Sequence, residues 1–221
     1  MKVVLKALIG LGLAGILLSW RFSNPAKAPK GQQTQPTTPP TQLVTQSKNP
    51  AAKTETPMIT DFTNEQEAQQ WRSVDDVVMG GISQSQFSVT PEGIGVFSGE
   101  LSLENNGGFT SVRRDIDDVD FAGTQAILLR VKGDGRPYQL RLQTETTNNS
   151  ISYRAEFETK AGEWIEIELP IDAFEPVFRG RVIEDAPAIN PTEIKQIGFL
   201  LADKQPGSFR LETDWIKTKQ A

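Results

Sequence analysis

The chain has 221 residues, enough for one domain with appendages, and a net charge of −5. It contains no cysteine and no histidine, which excludes disulfides, thiolate nucleophiles, Cys-ligated zinc, iron–sulfur clusters and lipoprotein acylation, and removes the commonest general base. Seven basic residues against the single acid Glu55 give residues 1–57 a charge of +6, so residues 58–221 carry −11; a domain this acidic repels phosphate backbones, and no nucleic-acid partner is expected.

The chain opens with MKVVLKALIGLGLAGILLSWRF, in which Lys2 and Lys6 precede an apolar run from Ala7 to Leu18. A basic start and a short apolar core predict a signal anchor or signal peptide over residues 1–22. Twelve helical residues reach only ~18 Å, short of a ~30 Å hydrocarbon core. Counting Val3 to Trp20, with Lys6 snorkelling, makes a span feasible. Ala26-Lys27-Ala28 has the form of a cleavage site, but Pro29 follows directly and opposes cleavage, so the segment reads as an uncleaved anchor with a cleaved signal as the alternative. Residues 23–57 are rich in Pro, Thr and Gln. They cannot bury enough apolar surface to offset chain entropy and are expected to form a disordered tether. Such a linker would hold the domain roughly 30–35 Å from its anchor.

From residue 58 the pattern is mostly period two. TNEQEAQQW predicts one short helix, with Thr63 as its cap and Gln66 in the reciprocal position. Strands follow in SQSQFSV, IGVFSGELSL, QAILLRVKG, YQLRLQT, ISYRAEFE, WIEIELP, IGFLLA and SFRLETDWI. In YQLRLQT, Tyr138, Leu140 and Leu142 share one face, and Gln139, Arg141 and Gln143 the other. In ISYRAEFE, Tyr153, Ala155 and Phe157 oppose Ser152, Arg154 and Glu156. WIEIELP turns Ile165, Ile167 and Leu169 inward, and IGFLLA, apolar on both faces, predicts a central covered strand. Many short strands with little helix predict an all-β sandwich over residues 58–221.

Three stretches carry candidate chemistry. DDVVMGGISQSQF, residues 75–87, lacks the spacing and the Gly-Lys-Ser/Thr of a phosphate loop. Gly80 and Gly81 therefore predict positive φ or close backbone approach. Ile82 and Phe87 both suit a core only if a bulge shifts the register between them. Asp75 and Asp76 would point to opposite faces of a strand, poor geometry for an acid–base pair; either could cap a turn or bind a cation. RRDIDDVD groups Asp115, Asp117, Asp118 and Asp120 without the glycine and terminal glutamate of an EF-hand, and reads first as a solvated acidic edge. LENNGGFTSVRR turns at Asn105-Asn106-Gly107-Gly108 and returns through Phe109 to Arg113. Arg113 beside Arg141, Gln143 and Arg154 could make a positive spot that grips a carboxylate, a phosphate or sugar hydroxyls. The bland reading is a row of solvated charges paired with Glu156 and Glu158.

Four blocks in order, WRSVDDVVMGGISQSQF, FSGELSLENNGGFTSVR, RVKGDGRPYQLRLQT and IGFLLADKQPGSFRLETDWI, resemble the complex I intermediate-associated protein 30 family across residues 59–217. By this resemblance Asp75, Asp76, Met79, Gly80, Gly81 and Ser83 correspond to the family's first block. Gly107, Gly108, Phe109, Ser111 and Arg113 correspond to its second, and Gly133, Asp134, Gly135 and Tyr138 to its third. It implies a galactose-binding-like jelly roll, a fold shared with several carbohydrate-binding modules, and a non-enzymatic assembly or chaperone-like role. No catalytic residue is carried over. The anchor and linker lie outside the resemblance and point to the extracytoplasmic face of a bacterial membrane, in a periplasm or a thylakoid lumen.

The leading expectation is a membrane-tethered assembly factor whose partners are subunits of a respiratory or photosynthetic membrane complex; tethering near such a client raises effective concentration. The alternative is a glycan-binding module of the cell envelope, with Trp164 as an aromatic platform if it points outward. A carboxylate-based hydrolase ranks third, because no convincing acid pair is visible. No cofactor is expected beyond a structural calcium ion, which jelly rolls of this kind often hold.

Overall fold

The computed structural model describes residues 56–145 and 151–221. The chain divides into units Met1–Lys48 and Asn49–Ala221, and the described residues all belong to the second. The predicted anchor, residues 1–22, and nearly all of the predicted linker, residues 23–57, lie outside the described residues.

Among the described residues thirteen strands follow one another: β1 Met58–Thr60, β2 Arg72–Ser73, β3 Gln84–Val89, β4 Gly95–Leu101, β5 Thr110–Asp115, β6 Thr124–Lys132 and β7 Tyr138–Thr144, then β8 Ser152–Phe157, β9 Trp164–Pro170, β10 Glu175–Phe178, β11 Arg181–Val182, β12 Ile194–Leu201 and β13 Gly207–Gln220. They form two sheets. One has the order β3-β4-β13-β6-β9, with β1 also on β13; the other runs β11-β10-β8-β7-β12-β5-β2. Neighbours pair antiparallel throughout. The longest strand, β13, and the apolar β12 each sit inside their sheet, so both are covered by neighbours on either edge. The predicted all-β sandwich is the fold observed.

Alternation builds the core. Tyr138, Leu140 and Leu142 of β7, Tyr153 of β8 and Ile197, Phe199 and Leu201 of β12 are all buried, and they meet Phe97, Ile127, Leu129, Leu211 and Ile216 from the other sheet. Trp71 sits between the layers. Its ring stacks on Phe87 at 4.3 Å between centroids and on Phe199 at 6.0 Å, joining β3 to β12. Such aromatic pairs add stabilisation beyond the area they bury.

Local structure departs from expectation in three places. The helix of TNEQEAQQW is a 3₁₀ segment, Glu65–Gln70, and its cap is Asn64, whose Oδ1 accepts from Gln66 N at 2.9 Å. Thr63 instead donates its hydroxyl to Asp61 at 2.8 Å. The capping role moved one residue because Asp61 offers Thr63 a closer partner. Ile82 is 47 % exposed, and β3 pairs with β4 in unbroken register from Gln84 to Val89, so no bulge brings Ile82 to the core. The third departure concerns Arg154, whose carboxylate partner is described with the site below.

The 3₁₀ segment carries a buried charge. Glu67 accepts from Arg114 Nη1 at 2.6 Å, with side chains 9 % and 8 % exposed, and its Oε1 also takes the Thr60 hydroxyl. Removing one member of a buried pair strands the other in low dielectric. Glu67→Ala is therefore expected to destabilise the domain by about 3–5 kcal/mol, measured by urea unfolding; a loss below about 1 kcal/mol would mean that the pair behaves as a surface one.

Candidate binding site

The outer face of the seven-stranded sheet holds the site. Strand register places Arg72 opposite Arg113, Arg113 opposite Gly198, Gly198 opposite Arg141, Arg141 opposite Arg154, and Arg154 opposite Glu175. One rung thus crosses six strands and carries four arginines and one glycine. The rung beside it aligns Asp115, Gln196 and Gln143. A pocket of about 30 Å³ opens where the bare backbone of Gly198 leaves a gap, lined by Ser111, Arg113, Arg141, Gln143 and Ser152. A Cβ at position 198 would lie 2.4 Å from the Val112 carbonyl oxygen and 3.2 Å from Arg113 Cγ, so the close approach of β5 requires glycine there.

The four arginines are not equivalent. The outer two have acids: Arg72 bonds Asp115 at 2.9 Å and Arg154 bonds Glu175 at 3.1 Å. Arg154 thus pairs with neither Glu156 nor Glu158, because β10 rather than its own strand supplies the nearest carboxylate. Among the described residues the inner two have none. There Arg141 donates to neutral atoms, Gln139 Oε1 at 2.8 and 3.1 Å and Ser152 Oγ at 2.9 Å. The Arg113 side chain makes no hydrogen bond or ion pair with a described residue. Burial, followed by repulsion from Arg154 and Arg113, pushes the Arg141 guanidinium down to about 10. Burial and then Arg72 lower Arg113 in the same direction. Arg136 shows the contrast. Hydrogen bonds of 2.8 and 2.7 Å to Asp203 raise it above the ordinary arginine value despite its burial.

Asp75 and Asp76 lie elsewhere, bound to the protein's own backbone. Asp76 is fully buried. It accepts from Ser83 N at 2.9 Å, Ser83 Oγ at 2.6 Å, Gly108 N at 2.7 Å and Phe109 N at 3.3 Å. Burial alone would raise its carboxyl, but the bonds from Ser83, Gly108 and Phe109 together hold it below the usual carboxylate range. A Cβ on Gly81 or Gly107 would fall 2.3 or 2.5 Å from the same carboxylate, which explains glycine at both positions. Gly80 adopts φ 94°, the left-handed conformation the sequence suggested. Asp75 accepts from Ser85 N at 2.9 Å, Ser85 Oγ at 2.6 Å and Ser111 N at 3.3 Å. Above this base Val77, Val78 and Met79 are 59, 73 and 59 % exposed.

The third block is also internal. Asp134 accepts the Tyr138 hydroxyl at 3.0 Å and Arg210 N at 2.9 Å, Gly135 N donates to Thr159 Oγ1 at 3.1 Å, and a Cβ on Gly133 would strike the Thr159 side chain. Trp164 lies on β9 of the other sheet, beneath Arg130 and Lys132 at 5.1 and 5.0 Å, away from the pocket. Among the described residues no group of three or more His, Cys, Asp or Glu could hold a metal ion. Sequence reasoning named Arg113, Arg141 and Gln143 of the pocket, with Arg154 beside it, and missed Ser152, Gln196 and Gly198. The signal for Gly198 was present: one glycine inside an otherwise apolar strand marks a close approach.

Comparison with known proteins decides the family. The family profile described as "Complex I intermediate-associated protein 30 (CIA30)" matches residues 60–213. The chain belongs to this family. Relatives include the mitochondrial complex I intermediate-associated protein 30 of Mus musculus, 33% identical over 102 residues that make up 44% of this chain and 31% of the mouse protein. That of Drosophila melanogaster is 24% identical over 184 residues, 73% of this chain and 62% of the fly protein. The chain thus spans under two thirds of either relative's length. Among solved structures, a family 11 carbohydrate-binding module from Clostridium thermocellum, determined with a β-1,3-1,4-mixed-linked tetrasaccharide, superposes with a TM-score of 0.58 at 17% identity, over 75% of this chain and 95% of the module. That likeness establishes the jelly-roll sandwich.

Two outcomes follow from this geometry. Asp76→Asn should cost about 3–5 kcal/mol at neutral pH, since an amide cannot accept four donors and leaves buried N–H groups unpaired. Because the folded-state carboxyl lies below its unfolded value, its contribution is complete above about pH 4 and fades as pH falls through the folded value. The gap between wild type and variant should therefore narrow in acid, as read from unfolding curves at pH 7 and pH 3. Gly198→Ala should lower stability by about 1–3 kcal/mol through overpacking, as measured by thermal unfolding; an unchanged midpoint would show that β5 can retreat from β12.

Proposed function

We propose that this protein is a non-enzymatic assembly factor, held at a membrane by its N-terminal segment, that binds a subunit of a membrane protein complex during construction. The observation that carries this reading is the family match over residues 60–213, whose relatives are named for intermediates of complex I. The chemistry of the domain supports binding over turnover. Asp75 and Asp76 spend their acceptor capacity on the fold, and the pocket is lined by arginine, glutamine and serine without an acid pair. Exposed Val77, Val78 and Met79 on a fixed base add apolar area of the kind a protein partner covers. For a glycan the same pocket lacks a stacking platform, since the ring of Phe199 turns inward toward Trp71 and Phe157.

The apolar run at residues 7–18 supports tethering, and the relatives' names support a respiratory setting. Among the described residues no helix is long and apolar enough to cross a membrane; the predicted anchor lies outside them. The test is crosslinking of the full-length protein in intact cells, followed by identification of the captured proteins. Subunits of one membrane complex are expected in the adduct. Recovery of the protein only as a free monomer under mild detergent would overturn the reading.

A further inference from the structure

Two guanidiniums face one pocket with no acid between them. Arg113 and Arg141 are half-buried, flank Gly198 on neighbouring strands, and line the same 30 Å³ opening. Taking charge out of water is costly unless a counter-charge is supplied. Elsewhere the fold supplies one: Asp115 for Arg72, Glu175 for Arg154, Asp203 for Arg136, Glu67 for Arg114. Among the described residues, Arg113 and Arg141 are the half-buried arginines of the rung that no carboxylate accompanies. The missing partner is therefore an anion from outside the domain.

We propose that Arg113 and Arg141 form a clamp for a single carboxylate presented by the partner protein. Three observations fix the ligand class. The guanidinium fork matches a planar carboxylate, which it can bind through two parallel hydrogen bonds. The opening is of a size for the end of one side chain or a chain terminus. The domain as a whole carries −11 over residues 58–221. Over the Debye length of about 10 Å, within which surface charges act, this net negative charge repels a polyanion, so the carboxylate sits on a segment otherwise neutral or basic. Gln143, whose side chain lines the opening beside Arg141, is placed to donate its amide to the second oxygen. The inference rests on the assembly-factor reading for the identity of the partner, and on the sheet geometry alone for the clamp.

The experiment uses the full-length protein in detergent and a capped pentapeptide with one central glutamate. The same peptide with glutamine, and inorganic phosphate, serve as the other arms. At ten times the dissociation constant the glutamate peptide should raise the unfolding midpoint by about 3–6 °C. The glutamine peptide should leave it unmoved. In the double variant Arg113→Gln, Arg141→Gln the response should vanish. Arg141→Gln alone should melt no lower than wild type, because it removes an uncompensated charge; this also shows that lost binding is not lost folding. Arg141→Lys, which keeps the charge without the fork, should weaken the peptide response several-fold. Equal response to both peptides, or an undiminished response in the double variant, would overturn the clamp. A response to phosphate without one to the glutamate peptide would overturn the carboxylate assignment. Crosslinking separates the two levels. If the double variant still captures the same membrane subunits, the clamp fails as the partner's contact and the assembly reading stands. If wild type captures none while the peptide response persists, the assembly reading fails and the carboxylate site stands.

Discussion

Two consecutive carboxylates tie one sheet to the other, and the placement of everything on the outer face depends on them. Asp75 reaches Ser85 on β3 and Ser111 on β5, strands that belong to different sheets. Asp76 reaches Ser83, just before β3, and Gly108 and Phe109, just before β5. Each buried oxygen takes backbone or hydroxyl hydrogens in place of a cation, so the charge is compensated by dipoles that cannot move without unfolding the loops. Ser73 Oγ adds a further link to Ser85 O at 2.9 Å. With β5 anchored at its start, Arg113 is set at one height, opposite Gly198 and across from Arg141.

The arginines of this protein divide by whether a carboxylate accompanies them. Arg114 and Arg136 are enclosed with carboxylates and stabilise the layers or the turn before β13. Arg113 and Arg141 are half-buried without one. The same side chain is thus used in two ways, distinguished by whether a neighbouring strand supplies an acid. A sheet makes this distinction sharply, because a rung fixes which side chains meet and a shift of two residues removes the partner altogether.

Much of this was readable from the chain. Alternation in YQLRLQT and ISYRAEFE assigned inward and outward faces correctly, since a half-buried strand imposes period two on its own sequence. The same alternation put Arg141 and Gln143 on one face. What alternation does not encode is which strands become neighbours. The bland reading pairs the row of charges with Glu156 and Glu158, close in sequence, but β10 brings Glu175 beside Arg154. Asp75 and Asp76 were weighed as turn caps or cation ligands, and their actual donors lie up to 36 residues away, beyond any local rule. A lone glycine in the apolar IGFLLA signals a close approach, but not that Val112 and Arg113 of β5 are what approaches.

The stapled loop has a consequence for how its sequence can vary. A step of one residue, from Asp75 to Asp76, moves two residues back along β3, from Ser85 to Ser83, and two or three back along β5. Ser83 and Ser85 are two apart and share a face, so both carboxylates meet the same side of the chain entering β3. Side chains at 77–79 point to solvent and play no part in this network, so their kind is not set by it. The number of residues between Asp76 and Ser83 is not: one inserted or deleted position would present the wrong face of β3 to both acids at once, making spacing rather than composition the heritable feature of this segment.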